Sequence, residues 1–270
     1  MANRQLNRNE MLAVLDWYVA AGVDIAVGEE PIDRFAQSAT LAAPMPRRPL
    51  PVTPPQGQPA QPMAATATAP TDTDPEAARE LAAGATSLDA LRAMLERFDG
   101  CGLKLRATNL VFADGNPEAE IMLVGEAPGR EEDLQGKPFV GRSGQLLDRM
   151  LKAIGLDRTK VYIANTVPWR PPGNRTPSPA EVAVCLPFLY RQIELVAPKV
   201  LVALGGASAS TLFETDTGIT RLRGQWRELT VGNHTMRAVA TLHPAYLLRQ
   251  PAAKKLAWQD LLAIQAALRG

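Results

Sequence analysis

The sequence predicts an α/β domain, a three-layer α/β/α sandwich around a central, mainly parallel sheet of about four strands. Three observations predict it. Four apolar runs, at 121–126, 161–166, 200–204 and 238–242, have strand length and almost no polar interruption, as strands buried on both faces do. Helical patterns at 143–154, 178–196 and 207–213 fall between them, the alternation that builds parallel sheets with helices on both sides. The segments at their carboxyl ends begin at Glu126, Asn165, Gly205 and His243, small or polar residues at the place where open α/β sheets bind their ligands.

Taken in order, the chain divides into three stretches. Residues 1–40 carry a helical pattern at 9–21, with Leu12, Leu15 and Val19 on one stripe, ending at Gly22. That segment either docks a protein partner or packs back on the core. Residues 41–75 are rich in Pro and Ala, a composition that cannot bury enough apolar surface to offset its ordering entropy, and they are expected to form a disordered linker. Residues 76–270 hold the folded domain. Its first helix is expected to open on a Thr86/Asp89 capping box and to bury Leu88, Leu91, Leu95 and Phe98.

The run at 121–126 ends in Gly125-Glu126-Ala127-Pro128-Gly129, a turn whose glycines let backbone amides approach a ligand, followed by Glu132, Asp133 and Phe139. The long helix at 178–196 is well marked by Ser178 as N-cap, Pro179 at the first helical position and Glu181 closing the box. Residues 221–237 read as a hairpin or an irregular excursion. The last helix, at 252–268, is expected to bury Leu256, Leu261, Leu262 and Ile264.

Composition excludes several classes. The net charge of +1 means that a polyanionic partner must be met by a local basic face. Two cysteines, Cys101 and Cys185, are too few for a disulfide scaffold, and with only two histidines no metal site is expected. No apolar run approaches the ~18 residues of a membrane span, and Met1 to Gln5 open no apolar signal core, so the expectation is a cytoplasmic monomer without membrane contact.

Parallel strands would gather four segments at one rim, and a binding cleft needs that convergence. These are Glu126 to Gly129; Asn165-Thr166-Val167-Pro168-Trp169-Arg170-Pro171-Pro172-Gly173-Asn174-Arg175; Gly205 to Ser208; and His243-Pro244-Ala245-Tyr246-Leu247-Leu248-Arg249. Together with Pro138-Phe139-Val140-Gly141-Arg142, these motifs, in this order, resemble the bacterial family 4 branch of the uracil-DNA glycosylase superfamily. The resemblance runs from about Phe98 to the C-terminus. It implies a domain that flips uracil out of DNA and hydrolyses its N-glycosidic bond, with uracil-containing DNA and the abasic product as partners. It also implies an iron–sulfur cluster on four cysteines, but the matching positions here hold Phe98, Cys101, Trp169 and Cys185. A cubane cluster needs four ligands, so no cofactor is expected.

The resemblance implies roles for particular residues. Phe139 stacks on the flipped base, and Asn165 presents an acceptor and donors to the O4 and N3–H edge of uracil. His243 donates to uracil O2 as charge develops on the leaving base. Glu126 and Glu132 share the water and the sugar cation, in a division the sequence leaves open, and Glu132 is also placed to exclude the thymine methyl. Backbone amides around Ala127 and Gly129 face O2. Leu247 is the wedge that fills the gap in the stack, with Leu248 as its neighbour, and Arg142, Arg170, Asn174, Arg175 and Arg249 meet phosphates. Asp133 is expected to cap a loop or helix, and His234 to lie in a surface loop. A competing reading is an abasic- or lesion-DNA-binding protein with little turnover. A nucleotide-binding enzyme would rest on Gly125 to Gly129 alone, without a Gly-X-Gly-X-X-Gly fingerprint or a Walker lysine.

Overall fold

A computed structural model describes residues 74–269 of the 270-residue chain. The expectations for residues 1–40, and for nearly all of 41–75, lie outside the described residues.

Helix α1, Pro75–Ala83, is capped by Asp74, and α2, Leu88–Arg97, by Ser87, whose side chain accepts from the Ala90 amide. The cap is thus one residue beyond the expected Thr86. There follow β1 (Asp114–Gly115), β2 (Ile121–Gly125), α3 (Arg130–Gln135), α4 (Arg142–Ala153) and β3 (Tyr162–Asn165). Next come α5 (Pro179–Val196), β4 (Val200–Leu204), α6 (Gly206–Phe213), α7 (Ile219–Leu222), β5 (Arg227–Val231), β6 (His234–Thr241), α8 (Pro244–Arg249) and α9 (Lys254–Arg269). The α5 capping box forms as its sequence predicts, with Ser178 and Glu181 bonded reciprocally.

The sheet has six strands, in the order β1-β3-β2-β4-β6-β5, rather than about four. The central four are parallel, and the two additions are antiparallel edges. β1 is only two residues long, too short for any periodicity to show, and β5 alternates half-buried with exposed residues. β5 and β6 realise the hairpin alternative for 221–237. They also place His234 in a strand, where its Nε2 lies 2.8 Å from the Pro198 carbonyl, rather than in a loop.

Side chains alternate across the sheet, so each central strand feeds two cores. Met122, Val124, Leu201 and Ala203 pack beneath Leu189, Ile193 and Leu212 of α5 and α6. Ile121, Leu123, Val200 and Val202 pack beneath Leu147 and Leu151 of α4 and Ile264 of α9. This double burial is why the strands read as continuous apolar runs. In α9 the buried positions are Ala257, Asp260, Leu261 and Ile264, whereas Leu256 and Leu262 are exposed at 40% and 43%. The helical phase settles this, because 257, 261 and 264 share one face. Asp260 is buried on that face because it accepts from Arg223 and from Thr241 Oγ1 at 2.7 Å, tying α9 to the end of β6.

Candidate active site

From β2 the chain passes to β3 on one side and then to β4 on the other, so β2 ends at a topological switch point. The register brings Gly125 opposite Asn165 and Leu204 opposite Thr241, which aligns the carboxyl ends of all four parallel strands. A cavity of about 590 Å³ opens there, a volume within the range of small-ligand sites.

Glu126, Ala127, Gly129, Glu132, Phe139, Asn165, Asn174, Arg175, His243 and Arg249 all line this one cavity. Their convergence depends on pinning the loops to the sheet. Thr166 N donates to Gly125 O at 2.9 Å, Val167 N to Glu126 O at 3.1 Å, and Ser208 Oγ to Val124 O at 2.7 Å. Gly125 is the crossing point: a β-carbon there would lie 2.4 Å from Asn165 Oδ1 and 2.7 Å from Phe139 Cζ. Gly205 likewise lets the chain pass His243, with φ +96° and a hypothetical β-carbon 2.9 Å from His243 Cβ.

Phe139 has φ +54°, unusual for a residue with a side chain, and its ring lies 5.5 Å from the His243 ring at 35°. One aromatic wall and one imidazole thus border the same space. Asn165 is 5% exposed, and no hydrogen bond engages its side-chain amide among the described residues. Because Asn165 lines the cavity, that amide is open to a ligand's polar edge. His243 Nδ1 accepts from Ala245 N at 3.1 Å, which puts the ring proton on Nε2. Burial, helped by the charge of Arg249, lowers the His243 pKa to about 4, against a weaker upward pull from Glu132. The ring is therefore neutral at pH 7 and donates through Nε2.

The two glutamates are not equivalent. Glu132 is buried, with Oε1 accepting from Val140 N at 3.0 Å and Gly141 N at 2.9 Å, so it braces the Phe139 loop. Glu126 is half-buried and its carboxylate has no hydrogen-bond partner among the described residues. Asp133 caps a loop, accepting from Thr108 N and Asn109 N at 2.8 and 3.1 Å.

Several expected DNA contacts sit differently. Leu247 is 1% exposed and packs with Leu146, Met150 and Leu261, so it is not a surface wedge in this structure. The helical turn of α8 sends Leu247 inward and presents Tyr246, 37% exposed, to the cavity rim. Arg175 is held by both oxygens of Glu181, at 2.8 and 2.6 Å, and its charge is largely committed. Arg170 donates to Asn174 Oδ1 at 2.7 Å, and neither Arg170 nor Arg142 lines the cavity. Arg249 lines the rim and is exposed. Sequence reasoning passed over Gly125 as a spacer between two side chains, and its signal was the absence of a β-carbon at the end of an otherwise bulky strand.

The four positions at which the resemblance implies cluster cysteines meet in one apolar core. Phe98, Cys101, Trp169 and Cys185 are all buried there, with the two sulfurs 3.7 Å apart and the Phe98 ring 4.9 Å from that of Phe188. Two thiols and two packed aromatic rings do not fit a four-thiolate cluster. Among the described residues no group of three or more His, Cys, Asp or Glu is arranged to hold a metal ion, and no helix is long and apolar enough to cross a membrane.

Comparison with known proteins agrees with this geometry. Residues 112–262 match the family described as the uracil DNA glycosylase superfamily. The chain is 44% identical over 156 residues to the type-4 uracil-DNA glycosylase of Thermotoga maritima, covering 57% of this chain and 80% of that protein. It is 46% identical over 155 residues to the type-4 enzyme of Archaeoglobus fulgidus, covering 56% and 78%. With that of Sulfurisphaera tokodaii it shares 40% over 184 residues, covering 66% and 84%.

Proposed function

We infer, from the premise that this chain belongs to the uracil-DNA glycosylase superfamily, that it is a DNA-repair hydrolase: it extrudes uracil from DNA and cleaves the N-glycosidic bond, leaving an abasic site. The observation that carries the reading is that Phe139, Asn165 and His243, far apart in sequence, border one cavity beside the Glu126 carboxylate, which has no hydrogen-bond partner among the described residues.

The chemistry follows from those groups. Phe139 offers a face for the flipped base, a stacking worth ~1–3 kcal/mol in nucleic-acid sites. Asn165 Oδ1 accepts from uracil N3–H and its NH₂ donates to O4. As the C1′–N1 bond breaks, its electron pair goes to the base, and the His243 Nε2–H donates to O2 where negative charge accumulates. Glu126 stabilises the oxocarbenium-like sugar and orients water, which forms the new C1′–O bond and gives its proton to the carboxylate. Glu132 holds the loop, and Ala127 and Gly129 keep the amide wall close to the base. Arg142, Arg170, Asn174 and Arg249 meet phosphates, Arg175 shapes the same rim through Glu181, and Tyr246 occupies the wedge side of α8 in place of Leu247. The enzyme works without an iron–sulfur cluster, as a cytoplasmic monomer, and a protein partner docks through residues 1–40.

The test is release of uracil from a uracil-containing oligonucleotide, read as alkali-labile strand cleavage. Cleavage is expected, together with a loss of at least ~10²-fold in the single-turnover rate of Glu126→Gln. An intact strand at excess enzyme refutes the reading. A single burst followed by no turnover would favour the lesion-binding alternative. Iron and sulfide contents far below stoichiometric are expected in anaerobically purified protein, and four irons per chain would overturn the assignment of the Cys101/Cys185 core.

A further inference from the structure

Phe139 adopts a left-handed backbone that a phenylalanine rarely takes, so something must hold it there. One side of the grip is Glu132, bonded to the amides of Val140 and Gly141. The other side comes from outside every motif. Arg158, in the turn before β3, donates through Nη1 to the Pro138 carbonyl at 3.1 Å and through Nη2 to the Phe139 carbonyl. Its guanidinium is itself oriented by Asp114 Oδ2 at 2.7 Å and Asp148 Oδ1 at 2.8 Å. Gly144 completes the seat, since a β-carbon there would lie 1.7 Å from Phe139 O. Arg158 does not line the cavity, and it lies 19 positions beyond Phe139 in the chain.

We propose that Arg158 is a positioning residue for base recognition: its planar fork, aimed by Asp114 and Asp148, locks the carbonyls of Pro138 and Phe139 so that the phenyl ring stands ready as the platform for the flipped uracil. A guanidinium suits this task because its donors diverge in one plane and its charge persists at any working pH. Glu132 and Arg158 grip opposite polarities of the same loop, amides and carbonyls, which fixes both φ and ψ around Phe139. The assignment rests on the glycosylase reading, and its test separates the two.

Single-turnover uracil release is measured for the parent chain, Arg158→Gln, Phe139→Leu and the double variant, beside amide hydrogen exchange and affinity for undamaged DNA. Arg158→Gln is expected to slow release about tenfold or more with DNA affinity unchanged. In the Phe139→Leu background the same change should cost less than about twofold, because the platform it positions is gone. Exchange at the Val140 and Gly141 amides should quicken at least tenfold in Arg158→Gln while the amides of β2 and β4 keep their rates. Equal losses in both backgrounds, or exchange quickening throughout the domain, would show a merely structural role and overturn the proposal. A parent chain that releases no uracil sinks the glycosylase reading instead, and the exchange pattern still decides whether the clamp exists.

Discussion

Gly125→Ala is expected to lower single-turnover uracil release by ~10²–10³-fold while leaving a folded protein that still binds undamaged DNA. The added methyl meets Asn165 Oδ1 at 2.4 Å and the Phe139 ring at 2.7 and 2.8 Å, separations that real β-carbons do not show. Gly125 is not in the left-handed region, so alanine brings no backbone strain, and the whole effect falls on the two side chains. Neither can yield without leaving its place in the pocket: the ring sits on a loop clamped by Glu132 and Arg158, and the amide closes β3. Displacements near 1 Å in a positioned site cost about 10²-fold, and the base here would lose its platform and its edge-reading amide together. Overpacking of one methyl costs about 1–3 kcal/mol of stability, so a modest fall in melting temperature is expected beside the large kinetic loss. Activity within twofold of the parent would mean that Phe139 and Asn165 do not act where the structure places them.

His243→Ala is expected to lower kcat by ~10²–10³-fold, the usual cost of removing one donor aimed at a developing oxyanion. The pH behaviour is more diagnostic. With its pKa lowered to about 4 by burial and by Arg249, the imidazole stays neutral in the folded protein well below the ordinary value of 6.5. The rate profile of the parent chain should therefore show no break near pH 6.5. Stability has a definite sign. Above pH 6.5 the ring is neutral in both folded and unfolded chains. As pH falls from 6.5 toward 4 the unfolded chain takes up a proton that the folded one refuses, and folding stability declines, by at most about 1.4 kcal/mol per pH unit for one proton. Below about 4 this contribution levels off. Urea titrations across that window should show a shallower decline in His243→Ala, and identical slopes in the two proteins would refute a His243 held neutral by the fold.

The central sheet was legible because burial on both faces leaves its strands as unbroken apolar runs, while the edge strands β1 and β5 were not, being too short or too exposed to carry a pattern. The site residues that showed in the sequence are those whose chemistry is unusual for their location. An asparagine and a histidine at the ends of buried strands, and glycines around an acidic turn, have little structural reason to be there. Helical phase and pairing partners decide what residue type alone leaves open. Leu247 and Tyr246 are adjacent in sequence, yet the turn of α8 buries one and presents the other. Glu132, a candidate for the catalytic carboxylate, also sets one oxygen on two loop amides. Arg175, expected at a phosphate, also pairs with Glu181.

The sequence by itself determined the layer architecture and the polar, glycine-rich character of the segments at the strand ends, because apolar periodicity and the placement of glycine, proline and polar residues are local properties of the chain; which groups would meet a base came from the resemblance of the motifs. Only the tertiary structure decided which of those groups remain free to act. Freedom depends on hydrogen bonds between residues 8 to 44 positions apart, as in the grip of Glu132 on Val140 and of Asp114 on Arg158. No local pattern encodes such pairings, since they form only once the sheet has brought distant loops to one rim.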